Sequence, residues 1–163
     1  MKKTAQTIIP TYHDMLEHVS ELLASNHSLS ALYINCSRIS KIERLCGKKI
    51  YQDIQKKVNS LILDMQGRHI RESDIIVSNG AGSDEFTIFL SAKREQEDFC
   101  ASDLESLCER VTEYLNESVF PITFPYLRGG PKITVGYAVI IHNPLMRDER
   151  LLNKLMDKPL YDH

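Results

Sequence analysis

The chain has 163 residues, of which 42% are hydrophobic, and its formal net charge is −2. That apolar content is enough for one globular domain without disulfides or metal. The nearly balanced charge argues against a nucleic-acid binder, which presents a basic patch or stripe. Four cysteines without a Cys-x-x-Cys spacing predict reduced structural thiols. Because the sequence has no secretory segment and no apolar run of about 18 residues, we expect a cytoplasmic domain without membrane insertion.

The first half of the chain predicts helices around one buried strand. Apolar residues at three- and four-residue steps predict an amphipathic helix from about Thr11 to Ala24. The short apolar run Ala31–Cys36 predicts a buried strand. A longer helical pattern covers Arg38 to Met65, and we expect it to break at Gly47.

The second half predicts a hairpin followed by further helices and strands. Strands are expected over Asp74–Ser78 and Glu85–Leu90, joined by a glycine-rich turn. The remaining predicted elements are a helix over Ser102–Asn116, strands over Pro121–Leu127 and Ile133–Ile141, and a last helix over Met146–Met156. This order indicates an α/β sandwich built on a mostly antiparallel sheet.

Two short motifs near the hairpin carry a family resemblance. Gly82-Ser83-Asp84-Glu85-Phe86 resembles the GGDEF signature of diguanylate cyclases, with its second glycine replaced. Arg71-Glu72-Ser73-Asp74, just before the hairpin, resembles the Arg-x-x-Asp inhibitory site with which that family binds cyclic di-GMP. Tyr33–Ile39 and Ile133–Ala138 are similar to two of the family's strands. The resemblance therefore runs from Ala31 to the end of the chain.

The resemblance implies a fold related to the class III nucleotide cyclases. Such a fold has a ferredoxin-like core, with a central, mostly antiparallel sheet flanked by helices. Residues 29–163 would form the degenerate GGDEF domain, and residues 1–28 an N-terminal lead and helix. We also expect further domains in a longer protein, because the family's first helix usually joins the domain to an upstream sensor.

The same resemblance implies damage to the substrate site. Asn35 stands in place of a metal-binding aspartate and is a poor Mg²⁺ ligand. Ser40 replaces a phosphate-contacting lysine. The guanine-reading positions fall at Glu43 and at Gln52, or at Asp53 if the helix shifts by one residue. These substitutions affect separate steps of one mechanism.

The signature turn is also altered. Gly82 is kept, but a side chain at Ser83 would crowd the close approach of backbone and nucleotide. Asp84 and Glu85 remain acidic, so Mg²⁺ is expected only if residual nucleotide binding persists. We therefore predict no catalytic residue, no required cofactor and no bound metal. The vestigial positions are Asn35, Gly82, Ser83, Asp84 and Glu85.

The binding half of the pattern is intact. Arg71 offers two parallel donors that match the O6/N7 edge of guanine or a phosphate. A carboxylate such as Asp74 accepts from guanine N1–H and N2–H₂, which adenine does not offer. Arg110, on the helix after the hairpin, matches the second arginine that family members supply. The resemblance thus predicts a cyclic di-GMP site at Arg71, Asp74 and Arg110.

These observations favour an inactive GGDEF domain that acts as a cyclic di-GMP receptor. It would signal to a protein partner or to attached domains, with a ligand-mediated dimer as one possible form. One alternative is a weak or divergent nucleotide cyclase that uses Asp84 and Glu85. Another is an interaction module that senses GTP or binds no nucleotide. Cyclic di-GMP is the ligand expected under the first hypothesis.

Overall fold

A computed structural model describes residues 8–91, 101–143, 145, 150, 152 and 153 of the chain. Its helices and strands, in chain order, are α1 (Tyr12–Asn26), β1 (Ser28–Asn35), a 3₁₀ turn (Ser37–Ser40), α2 (Lys41–Cys46), α3 (Lys48–Leu63), β2 (Ile75–Ser78), β3 (Glu85–Leu90), α4 (Ala101–Thr123) and β4 (Thr134–Ile141). None of the helices in these residues is long and apolar enough to cross a membrane.

Local sequence signals explain where the early helices begin and end. Thr11 caps α1 in a capping box, in which its hydroxyl accepts from the Asp14 N–H at 3.2 Å. The Asp14 carboxylate accepts from the Thr11 N–H at 3.1 Å in return. Gly47, at a φ of 98°, separates α2 from α3. The predicted break at Gly47 is confirmed.

The four described strands form one antiparallel sheet in the order β2-β3-β1-β4. This is the strand order of a ferredoxin-like split βαβ core, so the predicted fold class is confirmed. In the register, Asn35 at the end of β1 lies opposite Glu85 at the start of β3 and Thr134 at the start of β4. The end of β1 therefore sits beside the hairpin tip.

Helices cover both faces of the sheet. One face packs against α3 and α4, and its fully buried strand residues include Leu32, Ile34 and Ile88. The other face packs against α1, whose Val19 and Leu23 have no exposed surface. Burial of each such side chain contributes about 2 kcal/mol. The sheet therefore lies between two apolar cores, one on each face.

The predicted strand Pro121–Leu127 is wrong, because α4 continues through Pro121 to Thr123. The apolar spacing continues past the predicted end at Asn116: Val119 is fully buried, four residues after buried Leu115. Pro121 lacks the N–H that would bond to the Glu117 carbonyl, and both residues are exposed, so water can bind that carbonyl. Asn116 lies inside the helix and binds the backbone N–H and carbonyl of Ile133, both at 2.9 Å.

Two other predictions concern the ends of the chain and its cysteines. Of the predicted last helix, Arg150, Leu152 and Asn153 are helical, and most of the rest lies outside the described residues. Cys36 and Cys108 are buried free thiols, as predicted, and burial raises the pKa of Cys108 to about 12. Cys100 is outside the described residues.

Candidate functional site

The hairpin turn between β2 and β3 is held by its own polar groups. Gly82 has a φ of 72°, a conformation that favours glycine. The Ser83 N–H donates to the Gly80 carbonyl at 3.0 Å, and the Ser83 hydroxyl accepts from the Glu85 N–H at 3.0 Å. Ser83 therefore stabilises the turn through its side chain.

Two side chains of α3 donate hydrogen bonds to the Asp84 carboxylate. The Tyr51 hydroxyl donates to Asp84 Oδ2, and Gln55 Nε2 donates to Asp84 Oδ1 at 2.9 Å. Burial and this bond to Asp84 raise the pKa of Tyr51 above its ordinary value, so Tyr51 keeps its proton. A metal ion at Asp84 would have to replace two hydrogen bonds from neutral donors.

The Asn35 side chain also accepts a hydrogen bond from the protein itself. Its side-chain oxygen accepts from the Ser37 N–H at 2.8 Å, and the neighbouring Cys36 N–H donates to the Asp84 backbone carbonyl at 2.8 Å. The Ser40 hydroxyl donates to the Ser37 carbonyl at 2.7 Å. Within the residues that the structure describes, no group of three or more His, Cys, Asp or Glu is placed to hold a metal ion.

The remaining positions matched to the substrate site lie on α2 and α3. Glu43, Gln52 and Asp53 are all exposed. Asp53 lines a surface cavity of about 390 Å³ together with Ile122 near the end of α4 and Tyr126 in the turn that follows. That cavity contains none of the hairpin residues.

A tight loop joins α3 to β2 and presents basic side chains. The Met65 carbonyl accepts from the N–H groups of Arg68, His69 and Ile70 at 3.0, 2.9 and 3.1 Å. Gly67 permits this turn with a φ of 82°. The loop therefore holds Arg68 and His69 at a defined place before Arg71.

Asp74 closes this loop against the far end of β3. One carboxylate oxygen accepts from the Arg71 N–H at 2.8 Å. The other accepts from the Ser91 N–H at 2.9 Å and the Ser91 hydroxyl at 3.1 Å. Asp74 is only 5% exposed. Its carboxylate is thus hydrogen-bonded inside the protein and positions Arg71.

The three residues predicted to bind ligand line one cavity of about 530 Å³. Arg71 and Asp74 come from the loop before β2, and Arg110 comes from the exposed side of α4. Three further polar residues that the sequence analysis did not identify share the cavity: Arg68, His69 and Glu72. With three arginines among its described lining residues, the cavity is suited to an anionic ligand.

The positive charge of this cavity affects the pKa of His69. Its ring lies against Tyr114 of α4, with centroids 4.2 Å apart and planes tilted by 37°. Burial and the positive charges of Arg68 and Arg110 lower the pKa of His69. The imidazole therefore stays neutral at neutral pH and adds a flat surface to the cavity.

Signals for the missed residues were present in the chain. Arg68, His69 and Arg71 form a basic cluster directly after Gly67, at the end of a helical pattern. Tyr51 and Gln55 are four residues apart, a spacing that places both side chains on one helix face. Their convergence on Asp84 requires the folded hairpin.

A larger groove of about 1060 Å³ runs beside the hairpin tip. Lys56 and Ser60 of α3 line one side, and Gly82 and Ser83 line another. Thr11, which caps α1, lies at the same groove. It contains none of the three arginines of the smaller cavity.

Comparisons with known proteins bear on the fold. No family model matches the chain, and no curated protein matches it. Among solved structures, it is similar to the GGDEF domain of TpbB (YfiN) from Pseudomonas aeruginosa, with a TM-score of 0.55, 17% identity, and coverage of 96% of this chain and 84% of that one.

Two further structures extend the comparison. The diguanylate cyclase SiaD of Pseudomonas aeruginosa, solved with its activator SiaC, matches with a TM-score of 0.60 and 16% identity over 91% of this chain and 52% of SiaD. The GGDEF domain of DgcB from Caulobacter crescentus, solved with cyclic di-GMP, matches with a TM-score of 0.52 and 13% identity over 94% and 87% of the two chains. The chain therefore has the fold of a GGDEF domain.

Proposed function

We propose that this domain is a cyclic di-GMP receptor without cyclase activity. The observation that carries the proposal is the cavity in which Arg71, Asp74 and Arg110 meet. Cyclic di-GMP has two phosphates and two guanines, and arginine donates parallel hydrogen bonds to either group. The DgcB domain, which shares the fold, was solved in complex with this ligand.

The hairpin supports the inactive half of the proposal. Catalysis would require Asp84 to bind Mg²⁺, which prefers several hard oxygen ligands. Asp84 instead accepts from Tyr51 and Gln55, and the Asn35 side chain accepts from the Ser37 N–H. Binding a metal here would break hydrogen bonds that hold the hairpin to α3. No cofactor is required for the receptor function.

Signal transfer would use a protein partner. The SiaD structure contains an activator protein, so this fold can be regulated by protein contacts in that case. In our proposal, cyclic di-GMP at the cavity changes the surface formed by α4 and the loop before β2, which a partner or attached domain then recognises. A ligand-mediated dimer is a second way to produce such a surface.

The experiment is calorimetric titration of the purified chain with cyclic di-GMP. We expect micromolar or tighter binding, and at least 100-fold weaker binding by Arg71→Ala, since two or more charge-assisted bonds are lost. Arg128→Ala is the matched control, because Arg128 is exposed and does not line the cavity. Absence of binding by the unaltered chain would refute the receptor function.

A second candidate function is GTP sensing without turnover. The groove beside the hairpin favours it, because Lys56 and Ser60 could contact phosphates near Gly82. Incubation with GTP and Mg²⁺ or Mn²⁺ tests both this candidate and cyclase activity. GTP binding without product would favour the sensor. Formation of a cyclic dinucleotide would refute the inactive assignment.

A further inference from the structure

Among the residues that the structure describes, two carboxylates in different environments line the cavity of Arg71 and Arg110. Asp74 is buried, and its oxygens accept from the Arg71 N–H, the Ser91 N–H and the Ser91 hydroxyl. Glu72 is exposed, and its carboxylate forms no hydrogen bond or ion pair with any other residue in the described part of the chain. Of these two described carboxylates, Glu72 is the one with both oxygens open to a ligand.

A guanine base needs a free acceptor. Its N1–H and N2–H₂ groups together fit one carboxylate, and adenine lacks this pair of donors. If Asp74 turned toward a ligand, the backbone N–H groups of Arg71 and Ser91 would lose their acceptor in a buried place, which is costly. Asp74 is therefore poorly suited to the role that its position in the motif suggests.

We propose that Glu72, rather than Asp74, is the residue that selects guanine in this cavity. The inference rests on the proposed cyclic di-GMP function and assigns its base specificity. Arg71 and Arg110 contact phosphate or the O6/N7 edge, and Glu72 accepts from the opposite edge of the base. Asp74 is a positioning residue that holds Arg71 in place.

Gly67 supports the position of Glu72. A side chain at Gly67 would collide with Glu72 Oε2, so the carboxylate lies directly over this residue. Gly67 also has a φ of 82°, which disfavours any other residue there. The lack of a side chain at Gly67 thus leaves room for the Glu72 carboxylate at this cavity.

The test compares two cyclic dinucleotides that differ by one amino group on each base. Cyclic di-GMP and cyclic di-IMP have the same phosphates, but hypoxanthine lacks the 2-amino group that a carboxylate would bind. We expect the unaltered chain to bind cyclic di-GMP about tenfold more tightly, which corresponds to about 1.4 kcal/mol. Glu72→Ala should bring the ratio of the two dissociation constants close to one. Glu109→Ala, which removes an exposed carboxylate beside Arg110 but outside the cavity, should keep it.

The Asp74→Asn variant distinguishes the role of Asp74 from that of Glu72. Its folding is followed by circular dichroism. A folded Asp74→Asn protein that keeps the tenfold ratio supports the assignment. A ratio that survives Glu72→Ala overturns it, whether or not Asp74→Asn folds. If the unaltered chain binds neither ligand, the proposed function fails and the inference with it. If the chain binds cyclic di-GMP and Glu72→Ala leaves the preference intact, only the inference fails.

Discussion

The hairpin tip and the cavity lined by Arg71 and Arg110 both contain polar side chains, but the partners of these side chains differ. At the tip, the side chains of Asn35, Ser83 and Asp84 all bind other groups of the protein. In the cavity, Arg110 and Glu72 are exposed and line an open space. Polar groups that bind each other maintain a fold, whereas charged groups around a cavity are available to a ligand. The contrast supports the proposed function, in which the cavity binds the ligand and the polar groups of the hairpin tip stabilise the fold.

Removal of the Asp74 carboxylate should have the largest effect on stability. Asp74→Ala leaves the N–H groups of Arg71 and Ser91 without their acceptor in a buried place. We expect a loss of about 3 kcal/mol in the free energy of unfolding, measured by urea denaturation. Asp53→Ala, at an exposed position, is the control and should change little. A loss no greater than that of the control would show that Asp74 does not hold the loop.

Loss of Arg110 should affect binding without affecting the fold. Arg110 is exposed on α4, so we expect Arg110→Ala to unfold at the same temperature as the unaltered chain. Its affinity for cyclic di-GMP should fall about tenfold, because one charge-assisted hydrogen bond is lost. Calorimetry at low and high salt would check this, since the difference should shrink as salt screens the charge. Unchanged affinity would show that Arg110 of α4 does not contribute to ligand binding.

Tyr51→Phe tests whether the two regions are independent. It removes the hydroxyl that donates to Asp84, so stability should fall by about 1 kcal/mol. Affinity for cyclic di-GMP should stay unchanged, because Tyr51 does not line the cavity. Tyr126→Phe, which removes a half-buried hydroxyl elsewhere, is the matched control. A change in affinity would mean that the hairpin and the cavity are coupled.

The smallest expected effect is the pH dependence caused by His69. Because the fold lowers the pKa of His69, the unfolded chain binds a proton more readily than the folded one. The contribution of His69 to stability is therefore complete above its ordinary pKa of about 6.5 and is lost as the pH falls below that value and through the lowered pKa of the folded chain. His69→Gln should reduce the loss of stability between neutral and mildly acidic pH. Urea denaturation across that range measures the difference between the two proteins.

Ligand binding should respond to the same proton with the opposite sign. Protonated His69 adds positive charge beside Arg68 and Arg110, so an anionic ligand should bind a few-fold more tightly at mildly acidic pH. His69→Gln should remove this increase. If the affinity of the unaltered chain does not rise as the pH is lowered, the ligand does not contact this side of the cavity.

Much of the fold could be predicted because its signals are local. The strand Glu85–Leu90 has the predicted bounds, and Gly47 interrupts the helices at the predicted place. The first strand was predicted over Ala31–Cys36 and is observed over Ser28–Asn35, because its first residues are not an apolar run. The helix through Pro121 was missed because proline usually ends a helix. In the folded protein, burial of Leu115 and Val119 on the opposite side outweighs that preference.

The sequence by itself determined the order of most helices and strands, because each of those signals lies within a few neighbouring residues. Arg71, Asp74 and Arg110 were instead assigned by the family resemblance, and the structure places all three at one cavity. Only the tertiary structure decided how the acidic side chains are used. Asp74 meets Ser91 and Asp84 meets Gln55 across the sheet and α3, and these partners are 17 and 29 residues apart in the chain. Residue spacing does not encode such distant contacts, because the pairing of β2 with β3 creates the first and the packing of α3 against the hairpin creates the second.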